Sequence, residues 1–329
     1  MEKTSKGHFF KSITRFEQAA LVIALLAICI VFSILSSSFM TVLNITNVLR
    51  QVSLMVIAGI GMVLLLLLGE IDISVGSLQA AVGIASVTVL NATGSIILAL
   101  LAALATGVVS GLLNGIIVTK GGVNSFIATL GTMAIIRGIG MVVTKAVSIP
   151  VRVPEFAEIG AGQLFGIPVP VIISAALVIF FYFVLNHTIF GRQIYAIGGN
   201  SEAAKLAGLP VQKIKLQVFV LAGVLFALSA FILASRLDAG QPIAGQGFEM
   251  QVIAAVILGG VSMSGGNGTL SGALLGMLIL GVIQNGLVLL NVSSFYHDIV
   301  RGAVIILAVY LDERRKKNAA KQLLRSSNK

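Results

Sequence analysis

The sequence predicts an all-α polytopic membrane protein of about ten transmembrane helices. Three observations carry that expectation. Of the 329 residues, 57% are hydrophobic and only 10% charged, against about a quarter charged in a soluble globular domain. The apolar residues, at a mean hydropathy of +1.05, gather into runs long enough to cross a bilayer. Those runs are rich in Gly and Ala and lack the alternation of an outer-membrane barrel. Helices, which satisfy their own backbone in lipid, are therefore the expected element.

Residues 1–18 form a polar segment carrying Lys3, Lys6, Lys11 and Arg15, and lead into a first span, Ala19–Leu35. Further spans follow Ser36-Ser37-Ser38 at once, which predicts an uncleaved anchor rather than a signal peptide. The next spans are expected at Leu54–Leu68, Ile73–Leu90, Ser95–Thr119 and Ser125–Thr144. A stretch with Pro150, Pro154, Pro168 and Pro170 then reads as an aqueous loop before a sixth span, Val169–Leu185. After a polar island come Leu216–Ser235, Met250–Ser262, Leu270–Leu290 and Asp298–Leu311. The eighth and tenth fall short of the ~20 residues a crossing needs, so either can begin inside its preceding loop.

With the N-terminus in the cytoplasm, that side holds 16 of the 22 Lys and Arg residues, the asymmetry that orients membrane proteins. The net charge of +10 then reports topology and attraction to the lipid bilayer. No aromatic-interleaved basic surface is left for nucleic acid. The chain divides into a cytoplasmic segment 1–18, a transmembrane domain 19–311 containing a cytoplasmic loop 187–215, and a basic cytoplasmic tail 312–329. Ser110-Gly111-Leu112-Leu113-Asn114-Gly115 resembles Ser271-Gly272-Ala273-Leu274-Leu275-Gly276, and Ile136-Arg137-Gly138 echoes Val300-Arg301-Gly302. These matches lie five spans apart, an odd offset, which predicts two inverted five-helix halves with a pathway near their interface. The pairs Gly107/Gly111, Gly111/Gly115 and Gly272/Gly276 predict close helix packing in lipid.

The island, Phe190–Lys215, must lie in water. Within it Asn200 or Ser201 can cap a short helix with Glu202 in its first turn, Gly208 can close it, and Pro210 ends it. Ala203, Leu206 and Ala207 fall on one face at i, i+3, i+4, a small apolar stripe suited to a partner's groove. An ordinary solvated loop is the bland alternative. Glu202-Ala203-Ala204, three residues and Gly208 resembles the EAA-x-x-x-G loop of ABC importer permeases, although Gln217 stands where that motif's tail has proline. Gly69-Glu70-Ile71-Asp72-Ile73-Ser74-Val75-Gly76-Ser77 and Ala255-Val256-Ile257-Leu258-Gly259-Gly260 with Gly265-Gly266 resemble the two glycine-rich signatures of ribose-type sugar permeases, with Glu70 in place of a second glycine.

The resemblance implies the inner-membrane permease subunit of an ABC importer for ribose or a related monosaccharide, with both termini cytoplasmic. It implies four further partners or roles: a separate ATP-binding ABC subunit holding ATP and Mg, a periplasmic sugar-binding protein, a second permease copy or paralogue, and an ATPase-coupling loop made of Ser201, Glu202, Ala203, Ala204, Leu206, Ala207 and Gly208. No phosphate loop G-x-x-x-x-G-K-[ST] and no metal-spaced cluster occurs in the sequence, so this chain is expected to be no enzyme and to carry no cofactor.

The residues themselves leave more than one path reading open. Glu70 and Asp72 are expected near the cytoplasmic edge as a hydrated turn, with Asp72 capping the third helix at Ser74. The alternatives are a gate or a structural pair with a basic residue. Arg137 needs a partner or a polar cavity. Gln79, Asn114, Asn124, Gln284 and Asn285 suit a sugar's hydroxyls or helix-to-helix hydrogen bonds. An ion-gradient secondary transporter using Glu70 and Asp72, or a passive channel, is the rival class; it would move solute without ATP. Reporter fusions at Met1 and at Lys329 are both expected to read cytoplasmic, and an external reading at either end contradicts the ten-span orientation.

Overall fold

A computed structural model describes the backbone from residue 3 to 293 and at single positions from 296 to 314, with side chains from Gln18 onward. Helix α1 runs Lys3–Leu35, and Gln18–Leu35 is its membrane-length apolar part. Thr41 Oγ1 accepts from the Asn44 amide and starts α2, Val42–Leu67. That start lies well before the expected Leu54. Asn44 exchanges two amide hydrogen bonds with Asn285, and Gln51 donates to Gln284, so polar side chains that looked like a loop are satisfied inside the bundle.

Helices α3 (Val75–Thr93), α4 (Ile96–Thr119, capped by Ser95) and α5 (Ser125–Thr144, capped by Asn124) follow as expected. The proline-rich stretch is not simply aqueous. It holds strand β1 (Ile149–Pro150), a one-turn helix α6 (Ala157–Gly160), and the hairpin of β2 (Gln163–Leu164) with β3 (Ile167–Pro168). Phe156 there is fully buried, edge-on to Phe231 at 5.1 Å. The apolar ring outweighs the solvation of its short loop.

Helix α7 (Val169–His187) leads into α8 (Ile189–Gly199), which the sequence reading did not separate, and α9 (Ser201–Leu206). Helix α10 spans Val211–Leu237, β4 is Ala239–Gly240, α11 is Phe248–Leu258 and α12 is Leu270–Leu289. The expected eighth span is thus an 11-residue helix, about 16 Å long, roughly half of a hydrocarbon core. The expected tenth span, 298–311, and the tail, 312–329, lie largely outside the described residues. Among the described residues eight helices are long and apolar enough to cross a membrane.

Helices α2, α3 and α10 form the buried centre, while α1, α4, α5 and α7 turn apolar side chains such as Ile23, Ile97, Ile127 and Ile179 outward. The glycine stripe of α4 meets α10. A Cβ on Gly107 would collide with the Gly223 carbonyl, one on Gly111 would lie 2.5 Å from the Phe219 carbonyl, and one on Gly115 2.6 Å from Leu216 Cδ1. These glycines let the two backbones touch. Strand β1 pairs antiparallel with β4, Ile149 opposite Gly240, which ties the two connections at one end of the bundle. The island and the Leu258–Leu270 connection sit at the other end.

Candidate functional site

Four helices converge on the connection between α2 and α3 at the island end. Leu68 ends α2, and Gly69 takes φ 76 to turn the chain. From there to Ser74 the backbone is not helical, yet Asp72, Ile73 and Ser74 are at most 1% exposed. Side chains satisfy it. The Ile71 amide donates to Ser125 Oγ at 3.2 Å and the Ile73 amide to Thr129 Oγ1 at 3.1 Å, one turn apart on α5. Asp72 Oδ1 accepts from the Ser74 amide at 2.8 Å and from Ser74 Oγ, while Asp72 Oδ2 accepts from Asn114 Nδ2 of α4 at 3.0 Å.

Asp72 therefore takes the Ser74 amide just ahead of α3, as expected, but as a buried rather than a hydrated group. Asn114 and the α5 hydroxyls take the place of water. Burial pushes the Asp72 carboxyl up, opposed by the hydrogen bonds from Ser74 and Asn114. Glu70 forms an ion pair with Lys215, one turn into α10. Beside this pair opens a cleft of about 400 Å³ lined by Gly69, Glu70, Asn124, Ser125, Gln212 and Lys215. Asn124 itself accepts from the Phe126 amide and caps α5.

The island rests on the same end. Its Gly198 lies so close to the Leu67 carbonyl and the Gly266 amide that a Cβ would collide with the first. The Gly266 amide donates to that carbonyl at 2.9 Å, and Tyr195 Oη donates to the Gly268 carbonyl at 3.0 Å. Helix α8 is thus bolted to the end of α2 and to the glycine-rich turn before α12. Asn200, not Ser201, caps α9, its Oδ1 accepting from the Ala203 amide at 2.9 Å. Gly208 closes the helix at φ 83.

Leu206 is 89% exposed, and Glu202, Ala203 and Ala207 are exposed beside it. Ala204 is not on that face: at 6% exposed it points into the core, because Leu209 donates back to its carbonyl and folds the chain beneath it. The free surface is Ala203, Leu206 and Ala207.

Other expected site residues lie elsewhere. Arg137 Nη1 donates to the carbonyls of Pro242 at 3.1 Å and Ala244 at 2.7 Å, away from Asp72. Gln79 donates to Ser229 on α10 at 3.3 Å. Gln284 and Asn285 pair with α2 as helix ties. Sequence reasoning missed Ser125 and Thr129 as partners of the connection, Tyr195, and Ser229. The i, i+4 hydroxyls at the start of α5 were the available signal for the first two.

The molecule is a helical membrane bundle that carries at one end a short, capped, exposed helix on a closely packed foot, with a polar seam within. The chain belongs to the family described as branched-chain amino acid transport system / permease component, which matches residues 44–309. It is 42% identical over 319 residues to the ribose import permease protein RbsC of Escherichia coli K12, covering 96% of this chain and 99% of that one. It is 43% identical to the Bacillus subtilis ribose import permease protein over 90% of this chain and 92% of that one. An L-arabinose ABC transporter permease protein of Azospirillum brasilense is 36% identical over 95% of this chain and 91% of the relative. No solved structure is significantly similar. The protein is a multi-pass inner-membrane permease subunit.

Replacing Asp72 separates its two contributions. Asp72→Asn keeps the Oδ1 acceptor, and Asn114, whose Oδ1 has no partner, can turn its amide to receive the new donor. Asp72→Ala leaves the Ser74 and Asn114 donors buried and unpaired, at about 1–3 kcal/mol each. Thermal unfolding in detergent is expected to place Asp72→Asn close to the parent and Asp72→Ala well below it; equal stability of the two contradicts the role of Asp72 in holding the connection.

Proposed function

We propose that this chain is the membrane-spanning subunit of an ATP-driven importer for ribose or a closely related monosaccharide. Relatives named as ribose and L-arabinose permeases support the substrate class. The observation that carries the mechanism is the exposed Ala203–Leu206–Ala207 face on a foot fixed to α2 and α12. An ATP-binding ABC subunit, holding ATP and Mg, docks there. A periplasmic sugar-binding protein delivers the sugar to the opposite end, and a second permease copy or paralogue completes the pathway. The fold in this reading has ten spans in two inverted halves with both termini in the cytoplasm. The central α2 and α10, the second and seventh spans, and the glycine-striped α4 and α12 support the five-span offset. Residues 1–18, 19–311 with the coupling loop 187–215, and 312–329 are the corresponding parts.

Coupling follows the covalent path. A force on α9 reaches α10 through Gly208, Leu209 and Pro210, and one turn later Lys215 holds Glu70. Glu70 belongs to the connection that also holds α5 and α4 through Ser125, Thr129 and Asn114. Displacing α9 therefore strains the joint of four helices, and the 400 Å³ cleft beside Lys215 is where the path opens to the cytoplasm. Ion-gradient transport needs free carboxylates at Glu70 and Asp72; one is ion-paired and the other fully hydrogen-bonded.

Ala203→Arg and Leu206→Glu put a charge on the docking face without touching the core. Each is expected to weaken binding of the ATPase subunit by about tenfold or more, the cost of losing a central contact, while the permease still inserts and folds. Gly208→Val acts the same way by straining the left-handed turn. Co-purification and sugar-stimulated ATP hydrolysis, with Gln193→Ala as control, check this; parental behaviour of all three variants contradicts the docking role.

A further inference from the structure

A second polar set lies deep in the bundle and takes no part in the island joint. Because α11 is 11 residues long, it starts about halfway through a hydrocarbon core. The chain reaches that depth from the far end. Gly240 of β4 packs on Gly83 and Ile84 of α3, and Gly245 packs on Gly76 and Gln79, about 10 Å further along the same helix. Gly76 in turn touches the Glu249 carboxylate, with room for no Cβ. No side chain caps the start of α11.

Two acceptors at this crossing have no donor, Gln79 Oε1 and Glu249 Oε2. Gln79 is 2% exposed, and its orientation is fixed by its neighbours. Ser229 Oγ donates to the Leu54 carbonyl at 2.9 Å, so it can only accept from Gln79 Nε2. Oε1 is thereby turned away and unpaired. Arg137 binds the carbonyls of Pro242 and Ala244, holding the descending segment 241–247 in place. It lies in Coulombic reach of Glu249 without forming an ion pair.

The Phe248 amide donates to the Gly245 carbonyl at 3.1 Å and the Gln251 amide to that of Gly247 at 3.3 Å. We propose that Gln79, Glu249 and the amides of Glu249 and Met250 at the start of α11 form a binding site for a polyol, closed here by the segment 241–247. Sugar hydroxyls supply the donors that both orphan oxygens lack, and the uncapped amides receive a hydroxyl oxygen. A calcium or magnesium ion would require about six or more oxygens, where two unpaired side-chain acceptors are on offer. The assignment rests on the importer reading, since it places the sugar's resting point inside that pathway.

The test uses the complete importer in proteoliposomes, with Cys29→Ser removing the chain's one cysteine and Gln79→Cys as reporter for a hydrophilic thiosulfonate. Glu249→Cys, on the opposite element, is the second reporter and keeps the test open if the first variant fails to assemble. The thiol is expected to react during ATP turnover and not at rest. D-ribose at about four times its dissociation constant slows the reaction about fivefold, as 1 + [L]/Kd requires, and sodium chloride does not. A thiol unreactive in every state at both positions overturns the site, as does protection by sodium instead of ribose. Ribose uptake by the Cys29→Ser parent is read separately. Protection without uptake leaves the site standing and defeats the importer reading; uptake without protection does the reverse.

Discussion

A chain that stops being helical inside a packed membrane domain must find partners for the amides it frees, since no water is at hand to take them. Between Leu68 and Ser74 this chain meets that demand with side chains from two other helices and its own Asp72. Ser125 and Thr129 take the amides of Ile71 and Ile73, Asp72 takes that of Ser74, and Asn114 closes the set. The cost of burying the Asp72 carboxylate is offset only while all these donors stay in place. The connection thereby fixes α3, α4 and α5 relative to one another.

The same end of the bundle explains the glycines. Gly198, Gly265 and Gly266 crowd around the last carbonyl of α2, and no residue with a side chain fits at Gly198 without moving that strut. The island's foot is therefore rigid, whereas the face that α9 presents is free. A docking element needs that contrast. In the proposed coupling, a force applied to α9 is passed on only if α8 does not yield; it enters α10 along the chain and reaches the α2–α3 connection through the Glu70–Lys215 pair.

Much of this was legible in the sequence. Long apolar runs set the helices α3, α4, α5, α7 and α12 to within a few residues, because a run bounded by Ser, Asn or Gly shows its ends. The island's capped helix was legible for the same reason. Hydropathy failed where polar residues are satisfied by distant ones. Asn44 and Gln51 hid the start of α2 because Asn285 and Gln284, at the far end of the chain, pair with them. Asp72 read as hydrated because nothing local reveals Asn114 above it. Ala204 belongs to the coupling loop that the motif implies, yet it points into the core, because a motif names residue types and not the direction in which a two-turn helix faces. The half-length of α11 was foreshadowed by its short apolar run, but not the descent of segment 241–247 that makes room for it.

The central claim is that motion of the island reaches the helices through Lys215 and Glu70. ATP-driven sugar uptake by Glu70→Gln, Lys215→Gln and the double variant, at matched protein levels, tests it most directly as a double-mutant cycle. The account predicts that either single change removes most of the uptake and that the double loses no more than one of them. Parental uptake in the singles, or losses that multiply in the double, would contradict it.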